Sequence, residues 1–352
     1  MNSSIPTFLA QYLESPPTPP GMTSREIVRR AIEFESPPRI PYSFTLPYGS
    51  DFFEAIIARF LIAGSNAPKP REKGEVYYDE WQVGQKVTGR GWDHAFDHPL
   101  EDLTRLEDYR FPDLANPDLF APYKPYIDLA NEKGKYVIAP DPVMMFERMR
   151  SLLGFEELMV AAYTQPEGLE ALLDRLADLI VAIIGEWANL GGVHGFMTWD
   201  DWGLQTSLQM KVETFREFYK PRYTRIVKAA HDGGMHYIWH NCGQILDMIP
   251  DMIDIGVNVV QLDQPRLMGS WKLAEEFGGR ICFWNTVDIQ WSTGEEVSGH
   301  DLRTEVADMV RVFNRFNGGF MARQYPQPRD INLSPERGQI IAEAFLENGC
   351  AL

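Results

Sequence analysis

From residue 136 to the end of the chain, short apolar segments alternate with amphipathic helices in a regular order. The segments are apolar throughout, which is typical of strands buried on both faces of a parallel sheet. Strands are predicted at 39–45, 136–141, 195–201, 236–243, 258–264, 280–288 and 318–324. No Gly-rich dinucleotide-binding sequence follows any of them. With the further strand expected within residues 75–98, the count comes to roughly eight strand–helix units, which predicts an α/β fold of the (β/α)8 TIM-barrel type rather than an open Rossmann sheet.

The rest of the chain predicts additions to one barrel domain. Residues 1–22 are proline-rich and indicate an extended N-terminal arm, so the barrel is assigned to residues 23–352. A helix is expected from about Asp51 to Ala63. Residues 75–98 contain a strand and a glycine-punctuated hairpin, which indicates an excursion over one face of the barrel.

Charge and composition narrow the function classes. The formal net charge is −17, from 33 basic and 50 acidic side chains, which argues against nucleic acid as a partner. Three cysteines do not form a disulfide framework and fit a reducing cytoplasm. Neither a signal peptide nor an apolar run of about 18 residues is evident, so we expect a soluble cytoplasmic protein without a membrane span.

Polar residues at the ends of the predicted strands are the first candidates for chemistry, because TIM-barrel active sites lie at the carboxyl ends of the strands. These positions are Asp79, Asp141, Asp200, Asp201, His240, Cys242, Asp263, Gln264, Asn285, Asp288 and Gln324. For any single aspartate the alternative is a cap on the following helix.

His240 and Cys242 are the strongest candidates. Residues two apart on a strand point to the same face, so their imidazole and thiolate converge, and both groups are zinc ligands. The alternative is a hydrogen-bonded histidine beside a buried free cysteine. A third ligand is needed. Cys282 is the leading candidate, against the alternative of a small core residue, and the carboxylates of Glu147, Asp200 and Asp201 are the other choices.

Tryptophans also gather at the predicted strand ends. The positions are Trp199, Trp202, Trp239, Trp284 and Trp291. Aromatic rings at a barrel mouth favour a flat aromatic ligand, although ordinary core packing explains them equally well. With Asp79, Gln264 and Asn285, the tryptophans at 199, 202, 239 and 284 form the expected substrate-binding set.

Several segments, taken in order, resemble the uroporphyrinogen decarboxylase superfamily and its corrinoid-dependent methyltransferase branch. They are SREIVRRAIEFESPPRIPYSF, DEWQVG with HPLEDLTRLEDYRFPD, FERMRSLLGFEELMVAAYTQPEGLEALLDRL, DDWGLQTSLQMKVETFREFYKPRY, HNCGQILDMIPDMIDIGVNVVQLDQP and GGRICFWNTVDIQ. The resemblance implies that Asp79 corresponds to the active-site aspartate of the family. It also implies that His240 and Cys242 correspond to the zinc-binding H-x-C motif of the methyltransferases, and that the protein is a homodimer.

Two departures from the family narrow the activity. The arginine-rich stretch that holds the substrate carboxylates in the decarboxylases is replaced by TLPYGSDFFEA, and the last strand is followed by ARQYPQP, without the family's histidine. We therefore reject uroporphyrinogen as the substrate, because its carboxylates would lack cationic partners. The third cysteine ligand of the thiol-methylating members is also missing from this region, which argues against methylation of coenzyme M.

The resemblance then implies a zinc-dependent methyltransferase that demethylates a methoxylated aromatic compound and passes the methyl group to a separate corrinoid protein. Asp200, Asp201 and Glu147 are the expected catalytic carboxylates, as ligand, ligand support or proton donor. Three alternatives remain: methyl transfer from methylcobalamin to tetrahydrofolate, decarboxylation of a small aromatic acid, and a catalytically silent barrel that binds a corrinoid or tetrapyrrole.

Overall fold

The computed structural model describes residues 13–58, 71–89 and 93–350. The strands within them are β1 Tyr42–Ser43, β2 Phe52–Glu54, β3 Val76–Tyr78, β4 Gly84–Lys86, β5 His94–Asp97, β6 Tyr136–Pro140, β7 Gly195–Trp199, β8 His236–Asn241, β9 Val259–Leu262, β10 Cys282–Asn285 and β11 Phe320–Arg323. Eight of these are parallel and form one sheet, in the order β1-β11-β10-β9-β8-β7-β6-β2, and the other three form an antiparallel sheet, in the order β3-β4-β5.

The large sheet curves into a nearly closed barrel. Its two edge strands meet through a bridge between Ser43 and Ser50 and through the backbone N–H of Asp51, which donates to the carbonyl of Tyr42. Helices surround the barrel. They are α1 Ser24–Ile32, α2 Lys124–Glu132, α3 Met145–Leu153, α4 Phe155–Thr164, α5 Pro166–Leu190, α6 Lys220–Asp232, α7 Ile249–Asp254, α8 Ser270–Phe277, α9 Gly299–Phe313 and α10 Pro335–Asn348. The predicted TIM barrel is confirmed.

One predicted helix starts as a strand and continues as a short 3-10 helix, Ala55–Ile57. The segment from Asp51 begins with Phe52–Glu54, which is β2 and pairs in parallel with β6. Phe52 faces the barrel interior and Phe53 the surrounding core, and both are buried. An element that is apolar on both faces suits a central strand, and this burial overrides the helical pattern that follows. Residues 59–63 of the predicted helix lie outside the described residues.

The predicted excursion is the small antiparallel sheet. Its strands β3, β4 and β5 pair in chain order, which agrees with the predicted hairpin. Asp79 therefore follows a strand of this sheet and not a strand of the barrel, which corrects the prediction that it ends a barrel strand. Its Oδ1 accepts the backbone N–H groups of Trp81 and Val83 at 2.9 and 3.0 Å.

Alternate strand positions fill the interior of the barrel. The inward side chains are Phe52, Tyr136, Ile138, Met197, Ile238, Val259, Cys282, Trp284 and Met321. The outward positions pack against the helices in a separate, larger cluster. Helix α1 covers the amino end of the barrel with Val28, Ala31 and Ile32. Asp201, His240 and Asp263 lie at the carboxyl ends of β7, β8 and β9.

The described part of the predicted arm lies against the amino end of the barrel. The carbonyl of Glu14 accepts hydrogen bonds from the ammonium group of Lys135 and the backbone N–H of Ser50. Arg39 donates to the carbonyl of Pro17 at 2.9 Å. Residues 1–12 of the arm lie outside the described residues. In the described ranges, no helix combines the length and apolarity that a membrane crossing requires.

His194 gives a pH-dependent contribution to stability at this end. Its Nδ1 accepts the backbone N–H of Val137 at 2.9 Å, and its Nε2 lies 3.4 Å from Arg25. Burial, followed by the charge of Arg25, lowers the pKa of His194 to about 4. The unfolded chain, with a histidine pKa of about 6.5, binds the proton more readily, so stability is lost as the pH falls from about 6.5 to about 4.

We expect this loss to reach about 3 kcal/mol by pH 4, from a pKa difference of about 2.5 units. His194→Asn keeps a hydrogen-bond acceptor near the position of Nδ1 and cannot titrate. Denaturant unfolding of the two proteins between pH 7 and pH 4 measures the difference. Identical pH profiles would mean that His194 does not contribute.

Candidate metal centre at the carboxyl ends of the strands

Three potential metal ligands from neighbouring strands meet at the carboxyl end of the barrel. Nε2 of His240 lies 3.4 Å from Oδ1 of Asp201 and 3.7 Å from Sγ of Cys242. The three ligand atoms all lie within 4.8 Å of one another. His240 and Cys242 share a face because side chains alternate along β8, and Asp201 follows β7, which pairs with β8.

Close backbone contact fixes the two loops that carry Asp201 and Cys242. A Cβ on Gly243 would lie 2.4 Å from the backbone of Gly203, so a larger residue at position 243 would push the loops apart. Gly243 also has a φ of 79°, which favours glycine. The backbone N–H of Cys242 donates to Oδ1 of Asp201 at 2.7 Å, which holds the carboxylate beside the thiol.

Gln261 sets the orientation of His240. The Gln261 amide nitrogen donates to the Asp263 carboxylate at 2.8 Å, so its carbonyl oxygen faces Nδ1 of His240. We therefore assign the proton of the neutral imidazole to Nδ1, which leaves the lone pair of Nε2 directed at Asp201 and Cys242. Such a hydrogen bond from the far nitrogen is the usual arrangement of a metal-binding histidine.

The donor set fits zinc. One carboxylate, one imidazole and one thiolate are ligands that zinc accepts, and three protein ligands leave a position for water or substrate, as in catalytic sites. Burial, followed by the nearby carboxylate of Asp201, raises the pKa of the Cys242 thiol well above its usual range. The metal-free thiol is therefore neutral, and metal binding would release its proton.

Glu147 and Asp200 differ in their relation to the three ligands. Burial raises the pKa of Glu147 to about 7, and the negative charge of Asp201 adds to this effect. Asp200 is fully buried in the helix layer, where its carboxylate accepts from the Tyr223 hydroxyl at 2.6 Å and from the backbone N–H of Glu147 at 3.1 Å. Asp200 thus fixes the start of α3, whereas the carboxylate of Glu147 pairs with Arg150 at 3.0 Å and its charge acts on Cys242.

The prediction of Cys282 as the third ligand is corrected. Cys282 begins β10, at the end of the strand opposite to the metal ligands, and is buried among apolar side chains in the barrel interior. Among the described residues, Asp201 is the side chain that completes the group with His240 and Cys242. Burial also raises the pKa of the Cys282 thiol, since the apolar interior disfavours a thiolate.

Two of the four substrate-candidate tryptophans face the interior of the barrel. Trp199 ends β7 and is partly buried against the interior cluster. Trp284 is stacked on Phe52 with ring centroids 4.5 Å apart. Both rings lie on the side of the sheet from which His240 projects.

The other two tryptophans pack between the strands and the helices, which corrects their assignment to the substrate surface. Trp202 is stacked on Phe146 at 4.0 Å, and Trp239 lies 4.1 Å from Tyr223. Trp239 precedes His240 on the same strand, so alternation directs it outward. Both rings are fully buried and have no access to the barrel mouth.

Within the described part of the chain, the side chains of Gln264 and Asp79 make local polar contacts, and that of Asn285 does not. Oε1 of Gln264 accepts the backbone N–H of Gly243 at 2.8 Å, which supports the loop of Cys242. Asn285 is fully buried at the end of β10, and its side-chain amide has no hydrogen-bond partner among the described residues. Asp79 lies 4.0 Å from Arg148 beneath the small antiparallel sheet.

Three residues of the barrel mouth were not found from the sequence. Gln261 is a polar residue at an inward position of the apolar run VVQL, and this mismatch was the available signal. Arg323 ends β11 with its guanidinium 4.7 Å over the ring of Trp284. The pKa of Tyr325 is raised by burial and by the negative charge of Asp263, so this phenol also lies near the centre.

Removing the Gln261 side chain tests its part in orienting His240. We expect Gln261→Leu to weaken zinc binding by about 10- to 100-fold, because Nδ1 of His240 loses its acceptor. Chelator competition measures the affinity. Thr286→Val is the matched control: its hydroxyl reaches Asp263 at 3.5 Å without contacting His240, so the affinity should stay unchanged. Equal affinities of Gln261→Leu and wild type would contradict this role.

Comparison with known proteins agrees with the fold. A family model described as uroporphyrinogen decarboxylase (URO-D) matches residues 139–311. The uroporphyrinogen decarboxylase of Psychromonas ingrahamii is 25% identical over 201 residues, which are 55% of this chain and 52% of the relative, so the match spans about half of that relative's length. A methyltransferase from Methanosarcina mazei superposes with a TM-score of 0.61 at 16% identity, covering 93% of this chain and 99% of that one.

Proposed function

Since this chain belongs to the uroporphyrinogen decarboxylase-like superfamily, we propose that it is a zinc-dependent methyltransferase. It takes a methyl group from a methoxylated aromatic compound and passes it to a corrinoid carried by a partner protein. The observation that carries this proposal is the convergence of Asp201, His240 and Cys242 on one point of the barrel mouth, with Nε2 of His240 free for a metal.

The chemical difficulty of such a reaction lies in the leaving group. The bond between the methyl carbon and the ether oxygen breaks, and the oxygen keeps the electron pair as a phenolate. Zinc held by the three side chains would supply a Lewis acid for this oxygen, which is worth several kcal/mol in stabilising the developing charge.

We assign the role of proton donor to Glu147. Its pKa of about 7 keeps a large protonated fraction at neutral pH, so it can donate to the departing phenolate oxygen. Asp200 acts as a positioning residue, because its carboxylate holds the backbone N–H of Glu147 and the hydroxyl of Tyr223.

The interior aromatic side chains favour a flat ligand. Trp199, which is partly buried, can flank an aromatic ring on the side of the barrel that carries His240. Trp284 is fully buried and is stacked on Phe52, so it supports this wall from within. The partner corrinoid protein would approach from the carboxyl end of the barrel, where the strands end in polar loops. The likeness to a methyltransferase from Methanosarcina mazei, which shows the fold alone, is consistent with this class of reaction.

The test is methyl transfer with free cobalamin in place of the partner protein. Purified protein with zinc, reduced cob(I)alamin and a methoxybenzoate should form methylcobalamin and the corresponding phenol in equal amounts. Cys242→Ala should abolish the formation of both products. Absence of methylcobalamin with the zinc-loaded wild type, across methoxylated aromatic compounds, would contradict the proposal. Methyl transfer from methylcobalamin to tetrahydrofolate is assayed in the same way, with the cobalamin as donor.

A second candidate is decarboxylation of a small aromatic acid. The URO-D family model and the curated relative from Psychromonas ingrahamii favour it, since both are described as uroporphyrinogen decarboxylase. Release of carbon dioxide from a methoxybenzoate without any cobalamin would support this candidate over methyl transfer.

A further inference from the structure

Arg323 is a buried cation inside the barrel mouth. It ends β11 two residues after the inward-facing Met321, so alternation directs it to the same interior face. Its side chain is 5% exposed. The guanidinium lies 4.7 Å over the ring of Trp284, which is itself stacked on Phe52.

The guanidinium is only partly paired. Nη2 lies 3.6 Å from Oε2 of Glu54, a loose ion pair. Nη1 is buried and has no hydrogen-bond partner among the described residues. A buried donor without an acceptor carries the full cost of its desolvation, and this cost is larger for a charged group. The fold therefore keeps a guanidinium N–H in the interior that a ligand oxygen can satisfy.

The strand register relates Arg323 to the metal ligands. His240 is the register partner of Gln261 on β9, and Gln261 is the partner of Trp284 on β10. Arg323, over Trp284, is therefore three strands from His240, or about 14 Å along the barrel wall at about 4.8 Å per strand. The straight line across the curved wall is shorter. The metal ligands and the guanidinium lie on the same wall, with the indole between them.

We propose that Arg323 binds the carboxylate of an aromatic acid whose methyl ether points to the metal centre. A planar guanidinium matches a carboxylate in shape and charge, and the unpartnered Nη1 of Arg323 supplies a donor for one carboxylate oxygen. The substrate class is then anionic methoxybenzoates rather than neutral aryl ethers. This inference rests on the proposed function, because the ligand is taken to be an aryl methyl ether.

The experiment is equilibrium binding by calorimetry, with zinc-free protein and no cobalamin, so that it does not depend on methyl transfer. The probes are 4-methoxybenzoate and methoxybenzene. We expect the wild type to bind the acid roughly 10- to 150-fold more tightly than the neutral ether, the range of a charge-assisted hydrogen bond. Equal binding of the two probes by the wild type would overturn the proposal.

Variants separate recognition from a structural ion pair. Arg323→Gln should abolish the preference for the acid, and Arg323→Lys should keep part of it. Glu54→Gln removes the competing carboxylate and should preserve or increase the preference. If the Arg323–Glu54 pair were only structural, Arg323→Gln would keep the preference, and this result would overturn the proposal. Thermal unfolding checks that each variant is folded. If Arg323→Gln is not folded, the binding of the two probes by the wild type decides the test.

The two proposals fail in different ways. Preferential binding of 4-methoxybenzoate without formation of methylcobalamin would support the carboxylate site at Arg323 and contradict the methyltransferase proposal. Methyl transfer at equal rates from acid and neutral ethers would support the methyltransferase proposal and contradict the carboxylate site at Arg323.

Discussion

Cys242→Ala and His240→Ala are each expected to weaken zinc binding by about 100-fold or more and to abolish methyl transfer. The binding free energy of zinc at structural sites with four ligands is about 10–16 kcal/mol, so one ligand accounts for roughly 3 kcal/mol of it. The remaining ligands cannot compensate, because the third donor, Asp201, is already held by the backbone N–H of Cys242. Zinc content after dialysis and chelator competition measure the loss.

Cys282→Ala is the matched control for this experiment. It removes another cysteine of the same barrel, which is buried at the start of β10 among apolar side chains. We expect it to keep one zinc per chain with unchanged affinity. If Cys282→Ala lost zinc and Cys242→Ala retained it, the assignment of the metal ligands would be reversed.

Asp51→Ala is expected to lower the free energy of unfolding by about 3–5 kcal/mol, because it leaves the buried charge of Arg39 unpaired. The Asp51 carboxylate accepts hydrogen bonds from both terminal nitrogens of Arg39, at 2.7 and 2.8 Å. It also accepts hydrogen bonds from the hydroxyl of Ser24 and the backbone N–H of Tyr42. Asp51 is fully buried. The group joins α1, β1 and the segment before β2 at the amino end of the barrel.

Denaturant unfolding of four proteins tests this expectation: wild type, Asp51→Ala, Arg39→Met and the double variant. The double variant should lose less stability than the sum of the two single variants, because it contains no unpaired charge. Strict additivity would mean that the two side chains contribute independently. Zinc affinity should stay unchanged in all four, because the pair lies at the opposite end of the barrel from His240.

The regular part of the barrel was predictable because its strands are apolar on both faces. Strands β6 to β11 lie within their predicted segments. The segment at Phe52 was predicted as a helix because its identity as a strand depends on pairing with β6, a contact that the sequence does not display. Asp79 lies in residues 75–98, which the glycine pattern had already assigned to the excursion, so counting it among the ends of barrel strands was inconsistent with that prediction.

The side-chain directions in the site were predictable only along single strands. Alternation brings His240 and Cys242 to one face, and the same rule directs Trp239 outward, which the sequence interpretation did not apply. The choice of Asp201 over Cys282 depends on contact between two loops, through Gly203 and Gly243. Such contact between strand ends is a tertiary property, and no spacing of residues in the sequence indicates it.

Zinc content and zinc K-edge X-ray absorption of the purified wild-type protein test the central claim most directly. We predict one zinc per chain with one sulfur ligand at about 2.3 Å and nitrogen or oxygen ligands at about 2.0–2.2 Å. A protein that holds no zinc after incubation with the metal, or a coordination shell without sulfur, would contradict the metal centre formed by Asp201, His240 and Cys242.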